Sequence, residues 1–242
     1  MRQTENTAIV LRYANYREND RMLTLLSPTR GRIDALARGC RKPRSPLVNA
    51  AELFALGDFD LFEKNGRQTL TGVRMIEHFY PLRQDFDRLA CGSYLLGLCE
   101  AVIQPGEPEQ ALFMLLLHGL SRLTYSDQEW KPLLAGFLLH FAEVEGFKPR
   151  LNHCIRCQKR LTDAEPVFFD EEEGGLCCAA CKTDRLIPVA PQQAVWMRQT
   201  LRSPASAWVN TPEAFAPYQM LRRFVEAHID KPIQAAAMLP KG

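Results

Sequence analysis

The chain has 242 residues, 46% of them hydrophobic and 24% charged, with a formal charge of +2. That is the composition of a globular protein able to bury a core, and it excludes wholesale disorder. No apolar run reaches the roughly 18–20 residues that span a bilayer. The N-terminal Met1-Arg2-Gln3-Thr4-Glu5-Asn6 also lacks the basic-then-apolar build of a secretory signal, so a cytoplasmic protein is expected.

Charge is unevenly spread. Residues 1–50 hold ten basic and four acidic side chains, so they carry +6 and the rest of the chain −4. Such asymmetry points to a polyanionic partner. Eight cysteines in a cytoplasmic chain point to metal, catalysis or burial rather than disulfides.

The first 80 residues read as five short strands: 7–13, 21–26, 32–38, 52–63 and 68–76. In the fourth, Leu53, Ala55, Gly57, Phe59 and Leu61 share one face, with Asp58 and Asp60 on the other. Asn65-Gly66 tolerates positive φ at both positions and predicts a tight hairpin. Five strands in this length suit a small OB-type barrel, and strand count alone leaves an SH3-like barrel or a sandwich open.

From about residue 82 the period becomes helical. The stretch 84–103 is apolar around much of its circumference and predicts the central buried helix. Leu112, Leu115, Leu116, Leu120 and Leu123 mark a second helix. Leu134, Phe137, Leu138 and Phe141 mark a third, stopped at Gly146-Phe147-Lys148-Pro149. Helical patterning resumes at 191–202 and about 212–230, with Thr211 as N-cap, Pro212 at the first position and Pro217 arguing for a bend or a later start. The expected class is α+β multidomain: a barrel (1–80), a helical part (81–150), a cysteine-rich insert (151–187) and a second helical part (188–242).

Cys154-Ile155-Arg156-Cys157 and Cys178-Ala179-Ala180-Cys181 are two C-x2-C knuckles twenty residues apart, which is zinc-ribbon spacing. Two residues between thiolates let both sulfurs reach one tetrahedral ion, and four thiolates leave no position open for water, so one structural Zn²⁺ is expected. Cys177 offers an alternative to Cys178 with the longer C-x3-C spacing, and His153 is a weaker substitute ligand. Cys40, Cys91 and Cys99 read as buried thiols.

Thr29 to Arg44 holds six basic residues, Arg30, Arg32, Arg38, Arg41, Lys42 and Arg44, against Asp34. Clustered guanidinium groups suit phosphate and give sequence-independent, salt-sensitive contacts, although a solvated charged face looks the same. Tyr13, Tyr16, Phe54, Phe59 and Phe62 are candidates for base stacking, Phe59 reading more naturally as core. No phosphate loop, nucleophile elbow or H-E-x-x-H is present, and no catalytic residue is assigned. Asp58 and Asp60 are the nearest thing to a nuclease metal site, and no third carboxylate accompanies them.

The order Ser27-Pro28-Thr29-Arg30-Gly31-Arg32, Ala35-Leu36-Ala37-Arg38-Gly39, the basic loop through Ser45, Leu53-Phe54-Ala55-Leu56, Glu145-Gly146-Phe147-Lys148-Pro149 and the Cys154/Cys157 knuckle resembles the bacterial RecO family over nearly the full chain. Arg38 stands where many relatives resemble Ala-Lys-Gly. The resemblance implies an N-terminal OB fold, a helical domain with an inserted zinc ribbon, and no enzymatic activity. It implies binding of single- and double-stranded DNA, strand annealing, and help in loading RecA onto covered strands. RecR and the C-terminal tail of single-strand-binding protein would be partners, in a bacterial, nucleoid-associated setting. The rival readings are a zinc-ribbon RNA-binding factor, a metal-dependent nuclease, and a module whose basic loop binds an acidic protein.

Overall fold

The computed structural model describes residues 2–205 and 216–240. The chain forms two compact units, Met1–Leu120 with Ile233–Gly242, and Ser121–Pro232.

In the first unit β1 (Arg2–Tyr16), β2 (Asp20–Ser27), β3 (Gly31–Ala37), β4 (Leu56–Lys64) and β5 (Arg67–Glu77) close a barrel in the order β1-β2-β3-β5-β4. A short parallel pairing of Ala35–Leu36 with Gln68–Thr69 completes the closure, an OB-type arrangement. Alternation fills the interior: Ala8 and Val10, Leu23 and Leu25, Ile33 and Ala35, Phe59 and Leu61, and Leu70 form one cluster. The Asn65-Gly66 hairpin forms as the sequence predicts, with φ of 52° and 72° and Lys64 opposite Arg67.

Two strands depart from expectation. β1 begins at Arg2 rather than residue 7, because its polar first half pairs with β4 while its second half pairs with β2, the register shifting between Val10 and Arg12. Such a half carries little apolar alternation to read. β4 begins at Leu56 rather than residue 52. Residues 49–51 form a 3-10 turn and Phe54 sits at φ 68° with its side chain buried near Gly92 and Leu82. Leu53 and Ala55 therefore owe their apolar character to a buried turn, not to a strand face.

Helix α1 (Phe86–Val102) lies against β1 and β2, where Ile9, Leu11 and Leu26 are buried outside the barrel core. The 3-10 turn Gln234–Met238 packs on α1, with Ile233 pressed against Gly97. Gly31 (φ 59°) is held in contact with the segment after α1, where a Cβ would meet the carbonyl oxygens of Glu107 and Gln104 at 2.3 and 2.5 Å. α2 (Gln110–Tyr125) runs across the boundary between the units in sequence.

In the second unit α3 (Trp130–Val144) packs on α4 (Pro191–Thr200) and α5 (Tyr218–Ala227). Every residue of α3 from Pro132 through Ala142 is buried. The most enclosed helix is therefore α3 and not the 84–103 stretch, whose Phe86 end is exposed. α3 is enclosed because that span carries a single polar side chain, His140, standing among Leu, Phe and Ala. α5 starts at Tyr218, directly after Pro217; Thr211 and Pro212 lie outside the described residues. The insert folds as a three-stranded antiparallel sheet, β7 (Gly175–Cys178), β6 (Val167–Asp170) and β8 (Ile187–Val189), in that order. Phe169 of β6 meets Phe224 of α5 edge-on at 5.5 Å. Among the described residues no helix is long and apolar enough to cross a membrane.

Candidate nucleic-acid face and metal centre

The structure sorts the six basic candidates into two groups at opposite ends of β3. Its seven residues, at about 3.3 Å each, set the groups roughly 20 Å apart. Arg30 and Arg32 flank the β2–β3 turn and are engaged. Arg30 donates to Asn6 Oδ1 at 3.1 Å. Arg32 makes a two-pronged pair with Asp34 at 2.9 and 3.2 Å, and that bond holds its guanidinium pKa above the usual value against the opposing effect of burial. The turn is fastened by backbone bonds from Arg32 to Gln104, Gly106 to Arg30 and Glu109 to Pro28.

Arg38, Arg41, Lys42 and Arg44 lie at the other end, and all four are exposed. Their loop has a defined shape. Gly39 (φ 63°) donates its N–H to Asp20 at 2.7 Å, Arg41 N–H reaches the Asn19 carbonyl and its guanidinium the Glu18 carbonyl, and Lys42 N–H bonds back to Gly39. These bonds clamp the loop to the β1–β2 turn, so Arg17 joins the face. Arg17, Arg38 and Lys42 border a concavity of about 420 Å³ together with Glu18, Asn19 and Asp20. Sequence reasoning counted Arg17 as basic but left it out of the site. The signal that finds it is strand order, because three consecutive antiparallel strands place the first turn and the end of the third at one pole.

The stacking candidates separate as sharply. Tyr16 is exposed at the same pole, with Arg17 5.4 Å from its ring centroid. Tyr13 is covered by Arg21, whose guanidinium sits 3.8 Å from the ring and also bonds the Ala51 carbonyl and Glu52. Phe54 and Phe59 are buried, which removes both as base platforms, and Phe62 is half-buried. Asp58 accepts from Thr7 at 2.6 Å and pairs with Arg74, so its oxygens are occupied by protein donors.

The cysteine pairs converge. The sulfurs of Cys154, Cys157, Cys178 and Cys181 all lie within 4.8 Å of one another, and no other such group of Cys, His, Asp or Glu occurs among the described residues. Tetrahedral thiolates at about 2.3 Å from an ion stand about 3.8 Å apart, and Cys157 and Cys178 are 3.7 Å apart, so the four residues fit one metal ion. Backbone bonds build this site. Leu176 N–H donates to the Arg150 carbonyl and Ile155 N–H to the Leu176 carbonyl, which lays the first knuckle along the edge of β7. Cys154 N–H bonds the Lys159 carbonyl and Gln158 N–H returns to Cys154, closing the turn.

Burial pushes the Cys154 thiol up, but backbone N–H groups of Cys157, Cys178 and Arg156 outweigh it and bring the pKa to about 6. The nearby Cys157 sulfur, then burial, push Cys181 up to about 12. Four sulfurs so placed cannot all ionise without a cation between them. Cys177 is buried, stands outside the cluster, and is pushed up to about 11, first by burial. Strand alternation explains the choice, since Cys177 and Cys178 point to opposite faces of β7. His153 is also outside the cluster, its backbone bridging to Arg160.

Comparison with known proteins matches residues 1–79 to the N-terminal and residues 83–236 to the C-terminal family described as recombination protein O. The chain belongs to the recombination protein O family. Among its RecO relatives, the DNA repair protein RecO of Anaeromyxobacter sp. (strain K) is 32% identical over 247 residues, 99% of this chain and 96% of the relative. That of Alkaliphilus metalliredigens is 36% identical over 172 residues, covering 71% and 69%. That of Pelotomaculum thermopropionicum is 37% identical over 182 residues, covering 75% and 70%.

Proposed function

We propose that this RecO family member acts in DNA repair and recombination as a mediator that binds single- and double-stranded DNA and anneals complementary strands. The observation that carries the reading is the convergence of Arg17, Arg38, Arg41, Lys42 and Arg44 on one pole of an OB-type barrel, around an ordered concavity with Tyr16 beside it. Basic side chains held on a shaped loop neutralise phosphates and release counterions, and an exposed tyrosine offers a sequence-tolerant platform for a base. Holding two backbones on one face lowers their repulsion, so pairing proceeds with no covalent step.

In this reading residues 1–80 are the DNA-binding domain and the helical parts, 81–150 and 188–242, dock partners. RecR and the C-terminal tail of single-strand-binding protein are the proposed partners, and the proposed consequence is RecA loading. Arg30 and Arg32 belong to the candidate DNA surface only after exchanging the Asn6 and Asp34 contacts they now make. The ribbon, 151–187, would hold one Zn²⁺ on Cys154, Cys157, Cys178 and Cys181, where the ion supplies a structural cross-link. A bacterial cytoplasmic, nucleoid-associated location goes with this activity.

The test is annealing of complementary oligonucleotides by purified protein, followed by fluorescence quenching across a salt series. Acceleration that fades with salt and is lost on Arg41→Ala/Lys42→Ala/Arg44→Ala is the expected result. Absent acceleration at low salt, with protein folded and DNA intact, would overturn the annealing mechanism.

A further inference from the structure

A second basic site lies wholly within the second unit. A cleft of about 670 Å³ opens between α4 and the stem of the first cysteine knuckle. One wall is the last turns of α4, where Val195, Arg198 and Gln199 recur at i, i+3 and i+4, with Arg202 in the turn just after Thr200. The other wall is the stem itself, where Leu161 N–H bonds the Asn152 carbonyl and His153 bridges to Arg160.

Arg198 is the anchor. It is 8% exposed, its Nε donates to the Leu151 carbonyl at 2.9 Å, and its Nη1 pairs with Asp163. Its Nη2 is buried with no hydrogen-bond partner among the described residues. A buried guanidinium with an unused donor is costly unless an acceptor comes to it. Arg160 and Arg202 are exposed at the rim. Three arginines face one carboxylate, Asp163, across the cleft. The excess of two positive charges matches a dianion rather than a second carboxylate. The last-turn carbonyls of α4 do not oppose it, because the N–H groups of Leu201, Arg202 and Ser203 bond Met197, Gln199 and Thr200.

We propose that this cleft binds a phosphate monoester, held by Arg198 and Nη donors of Arg160 and Arg202. A planar guanidinium fork takes phosphate oxygens two at a time, and a phosphate monoester carries close to two negative charges at neutral pH. The ester comes from a free nucleotide or from the 5′-phosphate of a DNA strand. The site stands independently of the barrel reading.

The zinc-loaded full chain is titrated by calorimetry with deoxyadenosine 5′-monophosphate, and with deoxyadenosine as the uncharged probe, at fixed ionic strength. Binding of the monophosphate alone is expected, weakened about tenfold or more in Arg160→Ala/Arg202→Ala, whose thermal unfolding stays unchanged because both side chains are exposed. A short oligonucleotide with a 5′-phosphate or a 5′-hydroxyl then separates the sources. Preference for the phosphorylated end that disappears in the double variant identifies a strand end; monophosphate binding without that preference identifies a free nucleotide. If neither phosphorylated probe gains over its unphosphorylated partner, or the double variant binds equally well, the proposal is overturned. Affinity for the 5′-hydroxyl strand reports on the barrel face by itself, so the two ideas fail separately.

Discussion

The barrel and the cysteine ribbon are both small β structures, yet they are held by different means. The barrel closes five strands around its own apolar cluster, from Ala8 and Val10 through Leu70. The ribbon has strands of four, four and three residues, too short to enclose anything, and gathers four sulfurs where the barrel gathers leucines. The difference separates consequences. Side chains mounted on the barrel hold their positions without metal, whereas the stem of the knuckle, and the cleft beside it, depend on the thiolate cluster.

The largest expected effect is on the ribbon. Cys154→Ala leaves three thiols, which should abolish stoichiometric zinc and cost several kcal/mol in the second unit, on the order of 3–5. Metal analysis with amide hydrogen exchange checks this: protection should vanish across 150–189 and persist in the barrel strands. DNA affinity should change little, and a collapse of DNA binding with the barrel still protected would break the comparison.

Next comes a contrast within the barrel. Arg41→Ala/Lys42→Ala/Arg44→Ala should lower DNA affinity on the order of 100-fold at low salt and reduce the slope of log affinity against log salt by about 2–3. Arg30→Ala/Arg32→Ala should cost about threefold or less, because those guanidinium groups already have Asn6 and Asp34 as acceptors. Fluorescence anisotropy across a salt series measures both. Equal losses would show that the two ends of β3 act as one surface.

The smallest effect is a pH dependence of the second unit. Burial lowers the pKa of His140 from the ordinary 6.5, and the neighbouring Glu143 offsets this only in part. The unfolded chain therefore binds the proton more tightly, so this contribution to stability is complete above the unfolded value and is lost as pH falls through the folded one. The urea midpoint should fall between pH 7.5 and 5.5, and His140→Gln should flatten that slope. The same slope in both proteins would remove His140 from the explanation.

Much of this was legible in the sequence, for reasons tied to particular residues. Asn65-Gly66 fixed a hairpin because few other pairs accept two positive φ angles. The C-x2-C spacing identified all four sulfurs, since the geometry of a knuckle is local. The helical periods from residue 86 onward were readable because one face of each helix meets a core. Less was visible where a local pattern served a distant purpose. Leu53-Phe54-Ala55 alternates like a strand and is a buried turn. The first residues of β1 show no pattern because pairing with β4, 50 or more positions away, holds them.

The sequence by itself determined which chemistry the chain carries: four cysteines that can gather around one ion, a basic N-terminal region, a barrel followed by helices. Those follow from residue type and short-range spacing. Only the tertiary structure decided which charges are available. Closing the strands in the order β1-β2-β3-β5-β4 put Arg17 beside Arg38 and Lys42, sent Arg30 and Arg32 to the opposite pole with partners of their own, and left Phe54 and Phe59 inside. It also set Arg198 into a cleft with an unused donor. The reason is physical: whether a guanidinium or a ring can meet a ligand depends on what already occupies it, and those occupants come from far along the chain.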